Sequence, residues 1–202
     1  MRHEASIWLL DAGAFTEQSL ARFAGWLDDS ERQRLGGFVR PARRRQYLAG
    51  RVLARQALGA ILGLAPCDVR LLDRPGAAPI LALPGCGEVG FSISHSGPWI
   101  GCAVSRTSRV GFDIEMIDVA RDIDALADQI FDEDQRLWLA SRPSQSRVRD
   151  FYRLWSEAEA RFKLGVTPQS LFHLPHAELS VVLCAERELV RPPELLAANF
   201  VL

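Results

Sequence analysis

Two α+β halves meeting near residues 105 to 112 are the architecture this sequence predicts, and three observations predict it. A long apolar helical stripe runs from Ala42 to Leu62 and leads into a cluster of short β-like runs; helical periodicity returns between Asp122 and Lys163; and β-like runs follow it to the end of the chain. Helices followed by strands, twice over, imply two layered units rather than one alternating α/β sheet. No internal sequence repeat is strong enough to prove a duplication. In a chain of 202 residues each half holds roughly 100, small enough that the two are expected to share a core or a large interface.

The first helix is expected over 16 to 28, because Leu20, Phe23, Ala24 and Leu27 follow helical spacing and Thr16 suits an N-cap. The second spans 42 to 62, with Tyr47, Leu48, Val52, Leu53, Leu58, Ile61 and Leu62 on one stripe and Arg43, Arg44, Arg45, Arg51 and Arg55 largely off it. Strand-like runs follow at Val69–Leu72, Pro79–Leu83, Glu88–Ser94, Trp99–Ser105 and Arg109–Glu115, separated by Gly, Pro and Ser turns. Helices are expected again over 122 to 140 and 148 to 163, the latter carried by Val148, Phe151, Tyr152, Trp155 and Phe162. Glu178–Cys184 and Phe200–Leu202 read as strands.

Composition excludes several functions. Apolar residues make up 48% and charged residues 24%, the balance of a folded chain. A net charge of −1 and a pI near 6.4 argue against general nucleic-acid or anionic-membrane binding. The longest apolar stretches, Ile7–Leu10 and Leu58–Leu64, fall far short of the roughly 20 residues that span a bilayer. Glu4 and Asp11 flank the first of them, unlike a secretory signal, so a cytoplasmic protein is expected. Cys67, Cys86, Cys102 and Cys184 form no CxxC pair and have no histidine at zinc-finger spacing, so reduced, idle thiols are expected. Lys163 is the single lysine among 24 basic residues, which singles it out.

Near neutrality conceals strong segregation. Residues 32 to 55 hold eight arginines and no acid, whereas residues 113 to 134 hold nine acids against Arg121 alone. Two solvated helix faces would explain this, and so would a polyanion site beside a cation site. In Val110-Gly111-Phe112-Asp113-Ile114-Glu115 the acids are two apart on a strand, so both leave one face with Cα atoms about 6.6 Å apart. Glu159 lies four residues after Trp155 and four before Lys163, on one helical stripe, and is placed to supply a third oxygen. The alternatives are a divalent cation held by Asp113, Glu115 and Glu159, or a surface Asp-x-Glu with an ordinary Glu to Lys pair. Phe91-Ser92-Ile93-Ser94-His95-Ser96-Gly97 is an alternating strand ending in a turn. Its Ser94 and His95 point to opposite faces and no Gly-x-Ser-x-Gly elbow occurs, so serine-hydrolase chemistry is not expected.

Taken in order, Glu31–Arg55 (E-R-x-R-x-x-x-F with A-G-R-x-L-x-R downstream), F-S-I-S-H-S-G, V-G-F-D-I-E and F-Y-R-L-W-S-E-A-E-A-R-F-K-L-G resemble the 4′-phosphopantetheinyl transferase family, in its larger monomeric, surfactin-synthetase-activating form. The match covers about residues 27 to 170. The resemblance implies two similar α/β half-domains related by a pseudo-twofold, divided as 1–107 (nucleotide side) and 108–202 (metal and carrier side). It implies transfer of the phosphopantetheine arm of coenzyme A to a serine of an apo acyl or peptidyl carrier protein, with Mg²⁺ required and 3′,5′-ADP released. It also implies a monomer that needs no nucleic acid or membrane and serves nonribosomal peptide, polyketide or fatty acid biosynthesis. Asp113, Glu115 and Glu159 would hold Mg²⁺; Glu159 would act as base; Lys163 would neutralise charge on the bridging phosphates. Arg34, Arg74 and His95 would grip the 3′-phosphate and Ser94 would bond the nucleotide, while Arg51 has a rival role in tying the two halves together.

The sequence departs from that pattern in four places, one of them a stretch after Lys163 that is one or two residues short. The family writes W-x-x-K-E where this chain has Trp155-Ser156-Glu157-Ala158-Glu159, and Gly-Lys-Pro where it has Gly76-Ala77-Ala78-Pro79, so two phosphate-binding lysines are missing. Arg153 and Arg161 are the arginines placed to compensate. Gln135 stands where an acid is common. Leu137 and Trp138 offer an apolar patch for the carrier protein. The alternative is a catalytically silent homologue that binds coenzyme A or carrier protein as a regulatory module.

Overall fold

The structure is a computed structural model and describes residues 4–74 and 76–198. In chain order its elements are β1 (Ala5–Asp11), α1 (Glu17–Ala21), α2 (Asp29–Gly36), α3 (Pro41–Leu62), β2 (Leu71–Arg74), β3 (Ala77–Leu81), β4 (Gly90–Ser96), β5 (Trp99–Ser105) and β6 (Val110–Met116). They are followed by α4 (Ile123–Ile130), α5 (Glu133–Ala140), α6 (Ser144–Leu164), β7 (Ser170–Leu174), β8 (Leu179–Ala185) and β9 (Glu194–Ala197). The α+β class expected from the sequence is what the chain forms.

Helix ends differ from expectation for local reasons. Thr16 caps α1 as expected, but the helix stops at Ala21 and a 3₁₀ turn takes over at Ala24–Trp26, where Gly25 weakens helical propensity. Asp28 then starts α2 through a capping box with Glu31, a helix the periodicity does not reveal. The single helix expected over 122 to 140 is two, because Phe131 is extended and Asp132 opens a second capping box. Gln135 is the return partner in that box, so its amide does the work of the acid it replaces: its Oε1 accepts from the Asp132 amide at 3.3 Å. β1, β7 and β9 were not expected from the pattern, the hairpin strands β2 and β3 are shifted by two residues, and Phe200–Leu202 lies outside the described residues.

One sheet runs β4-β5-β1-β9 and another β6-β8-β7; β2 and β3 form a separate hairpin. The unit strand, long helix, hairpin occurs twice, as β1–α3–β4–β5 and as β6–α6–β7–β8. In each the hairpin's second strand pairs antiparallel with the leading strand. β9 joins β1 in parallel, so a segment after residue 108 completes the first half's sheet.

The residues alternate accordingly. α3 packs Val52, Leu53 and Leu58 against Ile100, Cys102 and Val104 of β5. The opposite face of that sheet (Ile7, Leu9, Ala103) shares a core with Val110, Phe112 and Ile114 of β6 and with Val181 and Leu183 of β8. The far face of the second sheet, Val182 and Cys184, meets Ala160 and Leu164 of α6. The shared core expected of two such small halves is therefore present, with a long helix on either outside. Among the described residues no helix is long and apolar enough to cross a membrane.

Candidate active site

β4 and β6 belong to different sheets and have no backbone ladder between them; serines make the seam instead. Phe91 and Ile93 turn toward the α3 core, which sends Ser92, Ser94 and Ser96 to the other face. Ser92 Oγ accepts from the Phe112 amide at 3.2 Å. Ser94 Oγ donates to Asp113 Oδ1 at 2.7 Å. Ser96 Oγ donates to Glu115 Oε2 at 2.7 Å and accepts from the Met116 amide at 3.0 Å.

The acids of β6 face α6, and that helix lies unusually close. A Cβ on Gly111 would stand 2.0 Å from the Ala160 carbonyl oxygen, so only glycine permits the contact. Lys163, on the next turn, therefore reaches the strand. Its Nζ donates to Asp113 Oδ1 at 2.7 Å, Ser94 Oγ at 3.0 Å and the Phe112 carbonyl at 3.2 Å, which uses all three ammonium protons. Asp113 is 3% exposed, and its second oxygen, Oδ2, is buried without a partner. Burial raises the Glu115 carboxyl above its ordinary value; the Ser96 hydroxyl opposes this and the Asp113 charge reinforces it.

Glu159 is half-buried on α6, one turn before Lys163. Among the described residues no three His, Cys, Asp or Glu side chains are gathered as a metal-holding cluster. The convergence of Asp113, Glu115 and Glu159 expected from the sequence is thus not assembled here, and Lys163 is Asp113's partner instead. The donor set still suits a hard divalent cation: Asp113 carries an orphaned buried oxygen, Glu115 stands two residues along the same face, and Mg²⁺ takes few carboxylates and fills the rest with water and phosphate oxygens.

On the other face of β4, α2, α3 and the β2–β3 hairpin enclose a cavity of about 180 Å³ lined by Arg34, Arg43, Gln46, Tyr47, Arg51 and His95, among others. Arg43 Nη1 lies 3.0 Å from His95 Nε2. Burial, and then the Arg43 charge, hold that imidazole below its usual pKa. Arg34 donates to Asp73 Oδ2 at 2.8 Å, and this carboxylate raises its pKa further. Arg51 is buried between Asp73 and Glu31, stacks on the Tyr47 ring at 4.9 Å, and keeps Nη1 without a partner. Its acids both lie before residue 107, so Arg51 ties α2, α3 and β2 together and not the two halves.

Three sequence-predicted phosphate residues, Arg34, Arg51 and His95, are therefore brought together, and Arg74 is not. Its Nε donates to the Ala78 carbonyl at 2.8 Å within the hairpin, and it is not among the cavity's lining residues. Ala77 and Pro79 do line it, so the turn that lacks the family lysine still approaches the pocket. Arg153 and Arg161 do not compensate there: Arg161 holds Glu157 at 2.8 Å, and Arg153 faces a different cavity. Arg43 is the residue the sequence reading missed. Its spacing from Tyr47 and Gly50, i, i+4 and i+7 along α3, was the available signal.

The family model described as 4′-phosphopantetheinyl transferase superfamily matches residues 109–182, and the model described as 4′-phosphopantetheinyl transferase N-terminal domain matches residues 37–105. The chain is 33% identical over 149 residues to 4′-phosphopantetheinyl transferase HetI of Nostoc sp., an alignment covering 73% of this chain and 62% of that protein. It is 32% identical over 117 residues to 4′-phosphopantetheinyl transferase gsp of Aneurinibacillus migulanus, covering 57% and 46%. Against 4′-phosphopantetheinyl transferase Sfp of Bacillus subtilis it is 26% identical over 149 residues, covering 73% and 64%. The chain thus spans about half to two thirds of the length of these relatives.

Proposed function

The chain belongs to the 4′-phosphopantetheinyl transferase superfamily, and we propose that it transfers the phosphopantetheine arm of coenzyme A to a serine of an apo acyl or peptidyl carrier protein. One observation carries this reading: the strand step Ser94-His95 has the Asp113–Lys163 pair on one face and a cavity holding Arg34, Arg43, Arg51 and His95 on the other. A ligand with a terminal phosphate and a distant pyrophosphate meets that layout, with arginines for the first and carboxylates for the metal at the second.

Asp113 and Glu115, with Glu159 from α6, are the residues that would hold Mg²⁺. Bound there, the ion supplies Lewis-acid polarisation of the phosphoryl group. Ser94 orients Asp113 by donating to Oδ1 and leaves Oδ2 available. Lys163, held against that carboxylate, keeps a positive charge beside the oxygens that become more negative during transfer. Glu159, partly solvent-accessible, accepts the proton of the incoming serine hydroxyl. Arg43, Arg34 and His95 hold the 3′-phosphate, with the unpartnered Arg51 Nη1 in the cavity wall.

The first half (1–107) is read as the nucleotide side and the second (108–202) as the metal and carrier side, with Leu137 and Trp138, 63% and 43% exposed, as apolar docking points. Four unpaired cysteines support a reducing, cytoplasmic setting, and the presence of both sites in one chain supports a monomer.

The test is incubation with coenzyme A, Mg²⁺ and several apo carrier proteins, followed by intact-mass measurement. A gain of one phosphopantetheine, falling by about 10²- to 10³-fold in Asp113→Asn, is expected. Coenzyme A binding without transfer to any carrier would instead return the silent binding module. Absence of both binding and transfer would end the proposal.

A further inference from the structure

A second cavity, larger than the arginine-lined one, lies away from the site described above. It measures about 580 Å³, opens between the N-terminal half of α6 and the β7–β8 hairpin, and is lined by Arg149, Arg153, His173, His176 and Ser180 among apolar neighbours, with no carboxylate in its lining. That size is ordinary for a small-ligand site.

Its position has a counterpart. In the repeated strand, long helix, hairpin unit, α3 corresponds to α6 and β4 to β7. The pocket holding Arg43 and His95 lies between the N-terminal half of α3 and the end of β4. The larger cavity lies between the N-terminal half of α6 and the end of β7. His95 is the penultimate residue of β4, and His173 is the penultimate residue of β7. Arginine from the long helix faces histidine from the hairpin in both places.

The surrounding charges leave a cationic surplus. Asp150 accepts from Arg142 at 3.0 Å, with Arg153 farther off at 4.0 Å. Glu157 accepts from Arg161 at 2.8 Å and lies 3.2 Å from His173 Nε2. Asp150 thus has Arg142 as its nearer partner and Arg153 as its farther one, Glu157 pairs with Arg161, and no carboxylate among the described residues lies within 4 Å of Arg149. Arg149 uses two Nη donors on the His176 and Ala177 carbonyls, at 3.2 Å each, which pins the hairpin loop over the cavity. His176 Nδ1 accepts from the amides of Glu178 and Leu179, so its proton sits on Nε2, a donor with no hydrogen-bond partner among the described residues. Such donors facing a cavity, in surplus over acceptors, favour an anion.

We propose that this cavity is a second anion site, separate from the transfer site, that takes a phosphate monoester group through Arg149, Arg153 and His176.

The probe is inorganic phosphate, added at constant ionic strength to the ¹⁵N-labelled full chain while histidine ring resonances are followed by NMR. The His173 and His176 signals are expected to shift saturably, to need at least tenfold more phosphate in Arg149→Gln/Arg153→Gln, and to respond unchanged in Arg43→Gln, which alters only the other pocket. Should the double variant fail to fold, Arg153→Gln alone, at a side chain 52% exposed, gives the same comparison. A second arm uses adenosine 3′,5′-bisphosphate. Tighter binding than phosphate supports a nucleotide ligand, and equal binding supports a simple phosphate group. No saturable shift, or shifts undiminished in the arginine variants, would overturn the proposal, whatever the outcome for carrier modification.

Discussion

The two long helices occupy equivalent places over their sheets and are fastened by different physics. α3 is fixed through charge: Arg55, fully buried, donates to both oxygens of Glu31 at 3.1 and 2.6 Å, Arg51 bridges Glu31 and Asp73, and Glu31 also closes the capping box of α2. α6 is fixed mainly by contact, with Gly111 letting the helix backbone sit against β6 and its own Phe151 packed among Phe131, Tyr152 and Trp155. The difference tells which charges are available. On α3 the interior network consumes Arg51 and Arg55, and cations at its edge remain for a ligand. On α6 the buried acid Asp150 is matched by Arg142 from before the helix, so Lys163 is left for the β6 carboxylate Asp113.

The strongest way to break that comparison is Glu31→Ala. It strands Arg55 in the core and removes an acceptor from α2, so a loss of about 3–5 kcal/mol in denaturant unfolding is expected. Glu31→Leu combined with Arg55→Met should recover much of it, because paired buried charges can be exchanged for apolar volume. A Glu31→Ala cost under about 1 kcal/mol would mean that α3 is held by its apolar face alone.

Much of this organisation was legible in the sequence, and the gaps have physical causes. The α3 and α6 periodicities and the Asp113-x-Glu115 strand came through because each obeys one local period. α2 did not, since a capping box of Asp28 and Glu31 replaces an apolar stripe, and Glu31 is a buried charge that hydropathy reads as exposed. β9 is four residues long and gains its partners from β1, nearly the whole chain away. Arg74 reads as a phosphate ligand only through the family resemblance, whereas a hairpin carbonyl takes its Nε. The Asp113–Lys163 pairing was invisible because it depends on how closely Gly111 lets α6 approach.

A smaller effect tests the α3 pocket itself. Arg43→Gln removes a charge-assisted contact, so a loss of about 1.5–3 kcal/mol in coenzyme A binding, roughly 10- to 150-fold in Kd, is expected by calorimetry. His95 adds a pH signature. Its folded pKa lies below the ordinary value, so the unfolded chain takes up the proton first. The stability this contributes is whole above about pH 6.5 and is lost as pH falls through the depressed value. His95→Gln should therefore flatten the acid side of the stability profile relative to the parent protein. Phosphate beside the ring reverses the shift, so ligand binding near pH 6 should take up a proton, seen as a dependence of the binding heat on buffer ionisation. Equal heats across buffers would remove His95 from the phosphate contacts.

The smallest expected effect sharpens the division of labour between the helices. Ala158 is exposed on α6, immediately before Glu159, at the position where the resembling family carries a lysine. If the α3 arginines supply most of the phosphate-binding charge, Ala158→Lys adds a charge that they already make largely redundant. The gain in coenzyme A affinity should then be at most about fivefold, the range of a solvent-exposed ion pair, and should vanish in high salt. In the Arg43→Gln background the same lysine should help more, because the redundancy is gone. The two substitutions are then coupled through one ligand, and a double-mutant cycle on Kd measures that coupling. Strict additivity would show that the α3 and α6 cations contact the ligand independently, and the compensation assigned to Arg43 would fail.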